Sequence, residues 1–332
     1  MQEDKNYYTS VGLLRGVVGE TVDHNGKLLS CMFGERNEIS YQGETYIPKY
    51  REEDFRTRYR DAVKFYRNGA LKSVYLEEQQ EINTPVGRRK AELVTFYPSG
   101  HLHRFFLSYG MISAYWSEED EAERLGICEV DAYGQTYKGR ISCIQFYDSG
   151  VIKSIMLWPG ENIIVYTPAG SIRVRYEICF YENGTLQSVE PDKPARITIA
   201  ETDYYVYDNQ AIGIGDGSSS LSFYEDGRIK SLKSAVTAVI IKDGKQEIRI
   251  VPEDRMSMTD ADKTEIIPIK LDFLKGRLLV ADSDSLTHEF LITGSQLRTE
   301  LLLKNLIALT EATGCSGCSG CRRFEKERKE AL

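Results

Sequence analysis

Phe-Tyr-Arg-Asn-Gly-Ala-Leu-Lys-Ser, residues 65–73, occurs five times in this chain in closely related form. The other copies begin at Phe96, Phe146, Phe180 and Phe223. Each copy has Phe-Tyr, a turn residue, then Asn, Ser or Asp, then Gly, with Leu or Ile two residues later. Internal repetition of this kind is typical of proteins in which each unit packs mainly on its neighbours. The repeated residues serve packing and turns, and no catalytic set repeats with them, so they indicate an architecture rather than a reaction.

The conserved spacing around the Gly predicts a β-hairpin with a three-residue loop. A two-residue loop would place Pro98 of the second copy in the hydrogen-bonded ladder, where its missing N–H is needed. A type I turn followed by a left-handed Gly accommodates Pro98 and gives Gly100 the positive φ that the loop requires. We therefore expect the same loop in all five copies.

Counting outward from that loop predicts which residues face each other. In the first copy it pairs Phe65 with Leu71 and Val63 with Ser73, and it places Lys64 on the opposite side of the hairpin. The predicted pairs of the later copies are Phe146–Ile152, Ile144–Ser154, Phe180–Leu186, Ile178–Ser188, Phe223–Ile229 and Leu221–Ser231. One face of each hairpin is thus expected to be core and the other to be solvated.

Composition indicates the compartment and narrows the function classes. The 332 residues include 41% hydrophobic residues, and no apolar run reaches the roughly eighteen residues that span a bilayer. The polar amino terminus does not resemble a secretory signal, so a cytoplasmic location is expected. A net charge of −8 disfavours non-specific nucleic-acid binding. Seven cysteines, with three crowded at one end, favour thiols or metal ligands in a reducing compartment over a disulfide framework.

The repeats divide the chain into three predicted parts. Residues 1–255 form the hairpin repeat domain, in which residues 23–30 are a degenerate copy that keeps Asn-Gly but lacks Phe-Tyr. Within this domain Gly69, Gly87 and Gly100 match glycines 81 to 84 residues later, which indicates a longer repeat of several hairpins. Residues 256–292 contain one last degenerate hairpin, and residues 293–332 contain a helix and a cysteine-rich tail.

Three segments depart from the strand pattern. Residues 50–61 and 117–124 are rich in charge and are expected to be solvated connections or short helices. Residues 296–311 have Leu at helical spacing, after a possible N-cap at Thr293 or Ser295 and before Gly314, which predicts a helix. The predicted fold is therefore mainly β: an elongated antiparallel sheet of repeated hairpins whose open end is capped by this helix.

The Phe-Tyr-x-Asn-Gly-x-Leu-x-Ser pattern, at residues 65–73 and 180–188, resembles the variant MORN repeat (membrane occupation and recognition nexus) of bacterial antitoxin-like proteins. The resemblance covers about residues 20 to 280. It implies an elongated run of hairpins that binds a protein partner, sometimes a toxin, without catalysis. The chain departs from that family in its uneven spacing of 31, 50, 34 and 43 residues and in its cysteine tail.

A tyrosine follows each repeat Phe and is the first candidate for a binding site. In the predicted register these tyrosines fall opposite the core and close to the turns. They would either cover the rim of a thin sheet or form a row of rigid aromatic anchors, a residue type enriched in interfaces. The candidate partner-binding residues are Tyr66, Tyr97, Tyr147, Tyr181 and Tyr224.

The second candidate site is the tail sequence Gly-Cys-Ser-Gly-Cys-Ser-Gly-Cys, residues 314–321. Two consecutive Cys-x-x-Cys spacings let Cys315, Cys318 and Cys321 approach one point, as thiolate ligands of zinc or of an iron–sulfur cluster must. No fourth Cys follows, so a remote residue, a partner or a small molecule would complete the site. A redox-active thiol tail and an inert tail are the alternatives.

The sequence favours a binding protein over an enzyme. It has no Gly-x-Ser-x-Gly motif, kinase signature or His-Glu-x-x-His motif. We therefore expect a non-catalytic, protein-binding repeat scaffold, in the narrower reading an antitoxin or immunity-like protein. The alternative is a metal or iron–sulfur protein that works in electron transfer or cluster delivery through its three tail cysteines.

Overall fold

A computed structural model describes residues 5–51, 56, 61–211, 219–243, 246–256, 264–282, 284, 286–291 and 296–312. The chain is mainly β, with a large antiparallel sheet of hairpins and a short carboxy-terminal helix, as predicted. It divides into two compact units. Unit 1 consists of Met1–Val165, Val174–Gln187 and Ile214–Gly217, and unit 2 of Tyr166–Arg173, Ser188–Gly213 and Ser218–Leu332.

The elements are numbered in chain order. The first strands are β1 (Lys5–Thr9), β2 (Gly12–Val22), β3 (Leu28–Phe33), β4 (Ile39–Tyr41), β5 (Glu44–Tyr46), β6 (Val63–Phe65), β7 (Leu71–Thr84), β8 (Gly87–Phe96) and β9 (Leu102–Phe106). After helix α1 (Glu118–Leu125) come β10 (Cys128–Ala132), β11 (Gln135–Gly139), β12 (Ile141–Phe146), β13 (Ile152–Leu157), β14 (Asn162–Thr167), β15 (Gly170–Phe180) and β16 (Leu186–Pro191). Next are β17 (Ala195–Ile199), β18 (Thr202–Val206), β19 (Leu221–Phe223), β20 (Ile229–Ser234), β21 (Thr237–Asp243) and β22 (Gln246–Ile250). The last elements are β23 (Glu253–Met256), β24 (Thr264–Ile267), β25 (Ile269–Leu274), β26 (Arg277–Ala281), β27 (Thr287–Leu291), β28 (Gln296–Leu301) and helix α2 (Leu303–Ala312).

The repeat hairpins have the predicted three-residue loop. In the first copy the N–H of Gly69 donates to the carbonyl of Tyr66 at 2.8 Å, and the N–H of Tyr66 donates to the carbonyl of Ala70 at 2.9 Å. Gly69 has a φ of +92°, which residues with a Cβ rarely adopt. The loop glycines of the other four copies have φ between +82° and +95°. The degenerate copy at residues 23–30 uses the same loop, with Gly26 at +75°.

The predicted register is right next to the loop and wrong beyond it. Phe65 faces Leu71, as expected, but Lys64 rather than Val63 faces Ser73, and Val63 faces Val74. A β-bulge inserts one extra residue after Leu71, which shifts every later pair by one. The same bulge pairs Gln145 with Ser154 and Ser222 with Ser231, where the sequence predicted Ile144 and Leu221. The predicted pairs Phe146–Ile152 and Phe223–Ile229 are confirmed.

The bulge aligns buried residues into continuous rows across each unit. In unit 1 the antiparallel order is β1, β2, β3, β6, β7, β8, β9, β12, β13 and β15. One cross-strand row in this unit, called the core row, consists of Cys31, Val63, Val74, Val94, Phe105, Ile144, Ile155 and Ile178, and each of these side chains is 0% exposed. In unit 2 the order is β16, β19, β20, β25, β26 and β27, with a buried row of Val189, Leu221, Leu232, Leu271 and Val280.

A second kind of hairpin packs on the repeat phenylalanines. The pairs β4–β5, β10–β11 and β17–β18 are joined by two-residue turns in which both residues have positive φ, as in a type I′ turn. Each hairpin contributes one buried tyrosine whose ring meets a Phe edge-on at 5.8 Å between centroids. The pairs are Tyr46–Phe96, Tyr137–Phe180 and Tyr204–Phe273. These hairpins therefore cover the core side of the repeats.

The predicted helix at residues 296–311 is wrong in its first turns. Gln296–Leu301 is strand β28, which pairs with β21 in a three-stranded sheet that also contains β22. Leu297, Thr299 and Leu301 alternate with polar residues, so the segment also satisfies a strand pattern, and pairing with β21 decides between the two. The helix begins at Leu303, and the N–H of Leu306 donates to the carbonyl of Leu302 at 3.0 Å.

Other predicted elements are confirmed. Glu118–Leu125 is a short helix that begins with a capping box between Ser117 and Asp120. The hairpin β25–β26 is the predicted last degenerate repeat. No helix in the described ranges combines the length and apolarity needed to cross a membrane.

Candidate functional site

A hydroxyl hydrogen bond connects one hairpin to a later one at the repeat tyrosines Tyr66, Tyr97, Tyr147 and Tyr224. The hydroxyl of Tyr66 donates to the backbone carbonyl of Phe96 at 2.8 Å. The same bond joins Tyr97 to Phe146 at 2.9 Å, Tyr147 to Phe180 at 2.9 Å, and Tyr224 to Phe273 at 3.0 Å. The hydroxyl therefore satisfies a carbonyl of the next repeat Phe or, for Tyr224, of the Phe in the last hairpin. The sequence did not show that these hydroxyls are engaged within the fold.

The rings of these tyrosines are half-buried, and those of Tyr66, Tyr147 and Tyr224 lie beside cations of their own hairpins. The ammonium of Lys72 lies 5.5 Å from the ring centroid of Tyr66, and that of Lys153 lies 5.7 Å from Tyr147. In unit 2 the guanidinium of Arg228 lies 5.5 Å from the ring of Tyr224. Burial raises the pKa of the Tyr66 hydroxyl above its usual range. Each of these three rings is therefore partly buried and has a cation close to it, as in a cation–π interaction.

The face of the unit 1 sheet opposite the core row carries a polar row, called the outer row. It consists of Lys64, Ser73, Thr95, Arg104 and Gln145, which are cross-strand neighbours in that order. Each of these residues is adjacent in sequence to a member of the core row, so the alternation of side chains in a strand puts them on the opposite face. The row continues into Ser154 and Cys179, which are buried.

His103 belongs to the same face. Its imidazole nitrogens lie 2.9 Å from Nε2 of Gln145 and 3.4 Å from Oγ1 of Thr95, and its ring lies 4.4 Å from that of Tyr97. Burial, together with the nearby positive charges of Arg104 and Lys153, lowers the pKa of His103 to about 4. His103 is therefore neutral near pH 7, and its contacts with Gln145, Thr95 and Tyr97 make it part of this face.

A groove of about 320 Å³ lies at one end of the outer row. Its lining includes Ser30, Asp61, Lys64, Tyr66, Arg67 and Lys72. Three of these side chains are cationic, and Asp61 is the carboxylate among them, 3.5 Å from the ammonium of Lys64. The groove is therefore suited to an anionic group, which would either pair with these cations beside Asp61 or displace Asp61 from Lys64.

A buried ion-pair network in unit 1 was not predicted. Arg56 donates to Glu121 from Nε at 2.7 Å and to Glu92 from Nη2 at 2.6 Å, and both carboxylates are almost fully buried. Ser108 and the indole of Trp116 also donate to Glu121. Burial opposes ionisation of Glu121, but the hydrogen bonds from these three donors outweigh it and lower its pKa to about 2.

This network corrects one prediction about the charged segments. Residues 50–61 and 117–124 were expected to be solvated connections or short helices; the second contains a short helix, but Arg56 and Glu121 pair with each other in the interior. The high density of charged residues in both segments was the available signal, but it does not identify which residues pair. The network holds helix α1 against β8 through Glu92, so its role is structural.

The structure does not address the predicted cysteine site. Cys315, Cys318 and Cys321 lie outside the described residues. Among the described residues, Cys31, Cys128, Cys143 and Cys179 are not in disulfides, and burial raises the pKa of Cys31 and Cys143 to about 12. Over the described ranges, no group of three or more His, Cys, Asp or Glu residues is arranged to hold a metal ion.

Comparison with known proteins gives no further guide to the site. No protein-family model matches the sequence, and no curated protein matches it significantly.

Proposed function

We propose that this protein is a non-catalytic scaffold that binds a protein partner through the outer face of its repeat hairpins. The observation that carries the proposal is the constant register of the repeat tyrosines, each half-buried, beside the outer row. The resemblance to variant MORN repeats supports the same function. A narrower form, an antitoxin or immunity-like role, rests on that resemblance alone.

The geometry suits recognition by a pre-organised surface. The hydroxyl bonds hold the rings of Tyr66, Tyr97 and Tyr147 in place, so little side-chain freedom remains to be lost on binding. Rigid aromatic residues beside cations are the residue types that dominate interface energetics. The core beneath them is a continuous row of fully buried side chains.

Affinity capture from native lysate, followed by variants, tests the proposal. If the tyrosine rings are anchors, Tyr66→Ala, Tyr147→Ala and Tyr181→Ala together should weaken the captured complex by about 2 kcal/mol or more. The matching triple Phe variant keeps the rings and should retain most of the affinity. Tyr8, which is 90% exposed on β1, provides a control as Tyr8→Ala.

Two results would count against this scaffold. Unchanged affinity in a folded triple Ala variant would remove the tyrosines from the binding face. Turnover of a metabolite by the purified protein would favour an enzyme instead. Circular dichroism of every variant is needed, because the Ala changes also remove hydroxyl bonds within the fold.

The tail supports a second candidate function. We propose that Cys315, Cys318 and Cys321 bind zinc or an iron–sulfur cluster, on the basis of the Cys-x-x-Cys-x-x-Cys sequence. Anaerobic purification followed by a visible spectrum and elemental analysis tests this site. Truncation after Thr313 should remove the metal and leave the sheet folded. Protein that contains neither iron nor zinc and titrates with three free tail thiols would contradict it.

A further inference from the structure

The outer face of unit 1 concentrates positive charge in a chain whose net charge is −8. Lys64 and Arg104 belong to the outer row, while Lys72 and Lys153 lie beside Tyr66 and Tyr147 on the same face. Lys64 is paired with Asp61 at 3.5 Å. Four cations thus share a face with one contacting carboxylate among the described residues.

Three of these cations have no acidic partner. In the part of the chain that the structure describes, no carboxylate lies within 4.0 Å of the charged nitrogens of Lys72, Arg104 or Lys153. The Nε of Arg104 is buried and lacks a hydrogen-bond partner. The guanidinium of Arg104 lies 5.4 Å from the ring centroid of Phe106, so an aromatic ring rather than a carboxylate is its neighbour. Charge complementarity therefore favours an anionic ligand.

The spacing of the cations suits an extended chain. Lys72 is on β7, Arg104 on β9 and Lys153 on β13, which are separated by two strand positions each in the unit 1 order. At about 4.8 Å between strands, neighbouring cations are about 10 Å apart. A polypeptide in the extended polyproline II conformation rises about 3.1 Å per residue with three residues per turn, so carboxylates three residues apart lie on one side and match this spacing.

From these observations, we propose that the outer face of unit 1 binds an extended acidic polypeptide segment, with one carboxylate in the groove at Lys64 and Lys72. This inference rests on the proposed function and names the chemistry of the partner. A nucleic acid would use free aromatic faces for base stacking, but the rings of Tyr66 and Tyr147 are half-buried beside cations. A membrane would require exposed apolar side chains, whereas the outer row is polar.

Binding of a defined peptide to the full chain tests the inference. The probe is a fluorescent ten-residue peptide with Glu at positions 1, 4, 7 and 10 and Ser elsewhere, measured by anisotropy at low and physiological salt. The same peptide with Gln in place of Glu is the uncharged control. Oligothymidylate and phosphatidylserine vesicles represent the other polyanions. We expect saturable binding of the Glu peptide that weakens with salt and is at least about tenfold tighter than binding of the Gln peptide.

Matched variants locate the site. Lys72→Gln with Lys153→Gln should weaken Glu-peptide binding about fivefold or more, because two unpaired cations are removed. Lys90→Gln with Lys193→Gln removes the same charge from two exposed lysines outside this face and should change binding less than twofold. Equal loss in both double variants would mean that overall charge, not this face, determines binding.

The remaining outcomes also separate this inference from the proposed function. If a captured cellular partner keeps full affinity for the Lys72→Gln, Lys153→Gln protein, the scaffold is supported and the acidic-segment inference is wrong. No binding of the Glu peptide, or tighter binding of oligothymidylate or vesicles that is lost in the same variant, would also overturn it. Absence of any protein partner would contradict the scaffold even if the peptide binds.

Discussion

The hydroxyl of Tyr66 donates a hydrogen bond to the backbone carbonyl of Phe96, 2.8 Å away and 30 residues further along the chain. The same relationship holds between Tyr147 and Phe180. Each bond crosses from one repeat hairpin to the next, so a residue that recurs in sequence supplies a contact that recurs between units. The stability of the repeats therefore depends on contacts between neighbouring hairpins as well as on contacts within each hairpin.

The first prediction is that removal of one such hydroxyl destabilises the fold. Tyr66→Phe or Tyr147→Phe leaves a partly buried carbonyl without its donor and should lower the free energy of unfolding by about 1 kcal/mol each. Urea denaturation followed by circular dichroism measures the change. Tyr8→Phe, at a position 90% exposed, should have no measurable effect. Equal stability of all three variants would mean that the hydroxyl bonds contribute nothing net.

The second prediction compares two loop glycines that share a backbone conformation but differ in surroundings. Gly150 and Gly184 have φ of +86° and +84°, so Ala at either position should cost about 1–2 kcal/mol in backbone strain. A Cβ on Gly184 would lie 2.5 Å from the ring of Tyr133, whereas the nearest atom to a Cβ on Gly150 is in Pro85 at 3.7 Å. Gly184→Ala should therefore be more destabilising than Gly150→Ala by about 1 kcal/mol or more.

Thermal unfolding of the two glycine variants gives the comparison directly. Tyr133 packs on Phe180 with 4.8 Å between ring centroids, so its displacement should also change near-ultraviolet circular dichroism in Gly184→Ala only. If Gly150→Ala proves the more destabilising variant, local strain rather than the tyrosine contact governs these loops.

The sequence predicted the hairpins but not their full register, for a local reason. Turn residues are short-range signals, and the Gly of each loop was enough to place Phe65 opposite Leu71. No residue type in the sequence marks the bulge after Leu71, because Lys72 is also compatible with a regular strand. The bulge depends on pairing across the sheet, which places Val63 opposite Val74 and Val74 opposite Val94 in the core row.

Long-range pairing also accounts for the two other errors. Gln296–Leu301 satisfies both a helical and a strand pattern, and only β21 as a neighbour selects the strand. Arg56 and Glu121 are 65 residues apart, so no local pattern relates them. The positions of the repeat tyrosines were predictable because each follows a Phe whose face is fixed, but the acceptors of their hydroxyls belong to other hairpins.

The third prediction concerns pH. The pKa of His103 is lowered to about 4 in the folded protein, below its usual value near 6.5, because burial disfavours the charged ring. Between these two values the unfolded chain takes up the proton more readily. Stability is therefore complete above about pH 6.5 and falls as the pH decreases toward 4, with a loss of about 2 kcal/mol at pH 5.

Urea denaturation at pH 7.5 and pH 5.0 measures this loss. His103→Gln cannot take up the proton, so its stability should change less between the two pH values than that of the unmodified protein. His101→Gln, at a side chain that is 64% exposed, is the matched control and should keep the full pH dependence. An unaltered pH dependence in His103→Gln would assign the effect to other groups.

The last prediction concerns the buried Arg56 network. Arg56→Met leaves Glu121 buried without its cation and leaves Glu92 paired with Arg124 at 2.8 Å, so it should lower the free energy of unfolding by about 3–5 kcal/mol. Arg36 forms a 2.7 Å pair with Glu38, but both side chains are more than half exposed. Arg36→Met should therefore change stability by less than about 1 kcal/mol, as exposed pairs contribute little. Urea denaturation at pH 7.5 compares the two variants.

Protonation provides an independent test of the same network. Because the pKa of Glu121 is about 2 in the folded protein and near 4.5 in the unfolded chain, its contribution to stability is complete above about pH 4.5 and is lost as the pH falls toward 2.

A further test removes the three charges together, by replacing Arg56 with Met, Glu92 with Gln and Glu121 with Gln in one variant. This triple variant should be more stable than Arg56→Met alone, because the cost of the single change is the unpaired charge it leaves behind. A triple variant no more stable than the single one would show that Arg56 acts through packing and its other contacts instead.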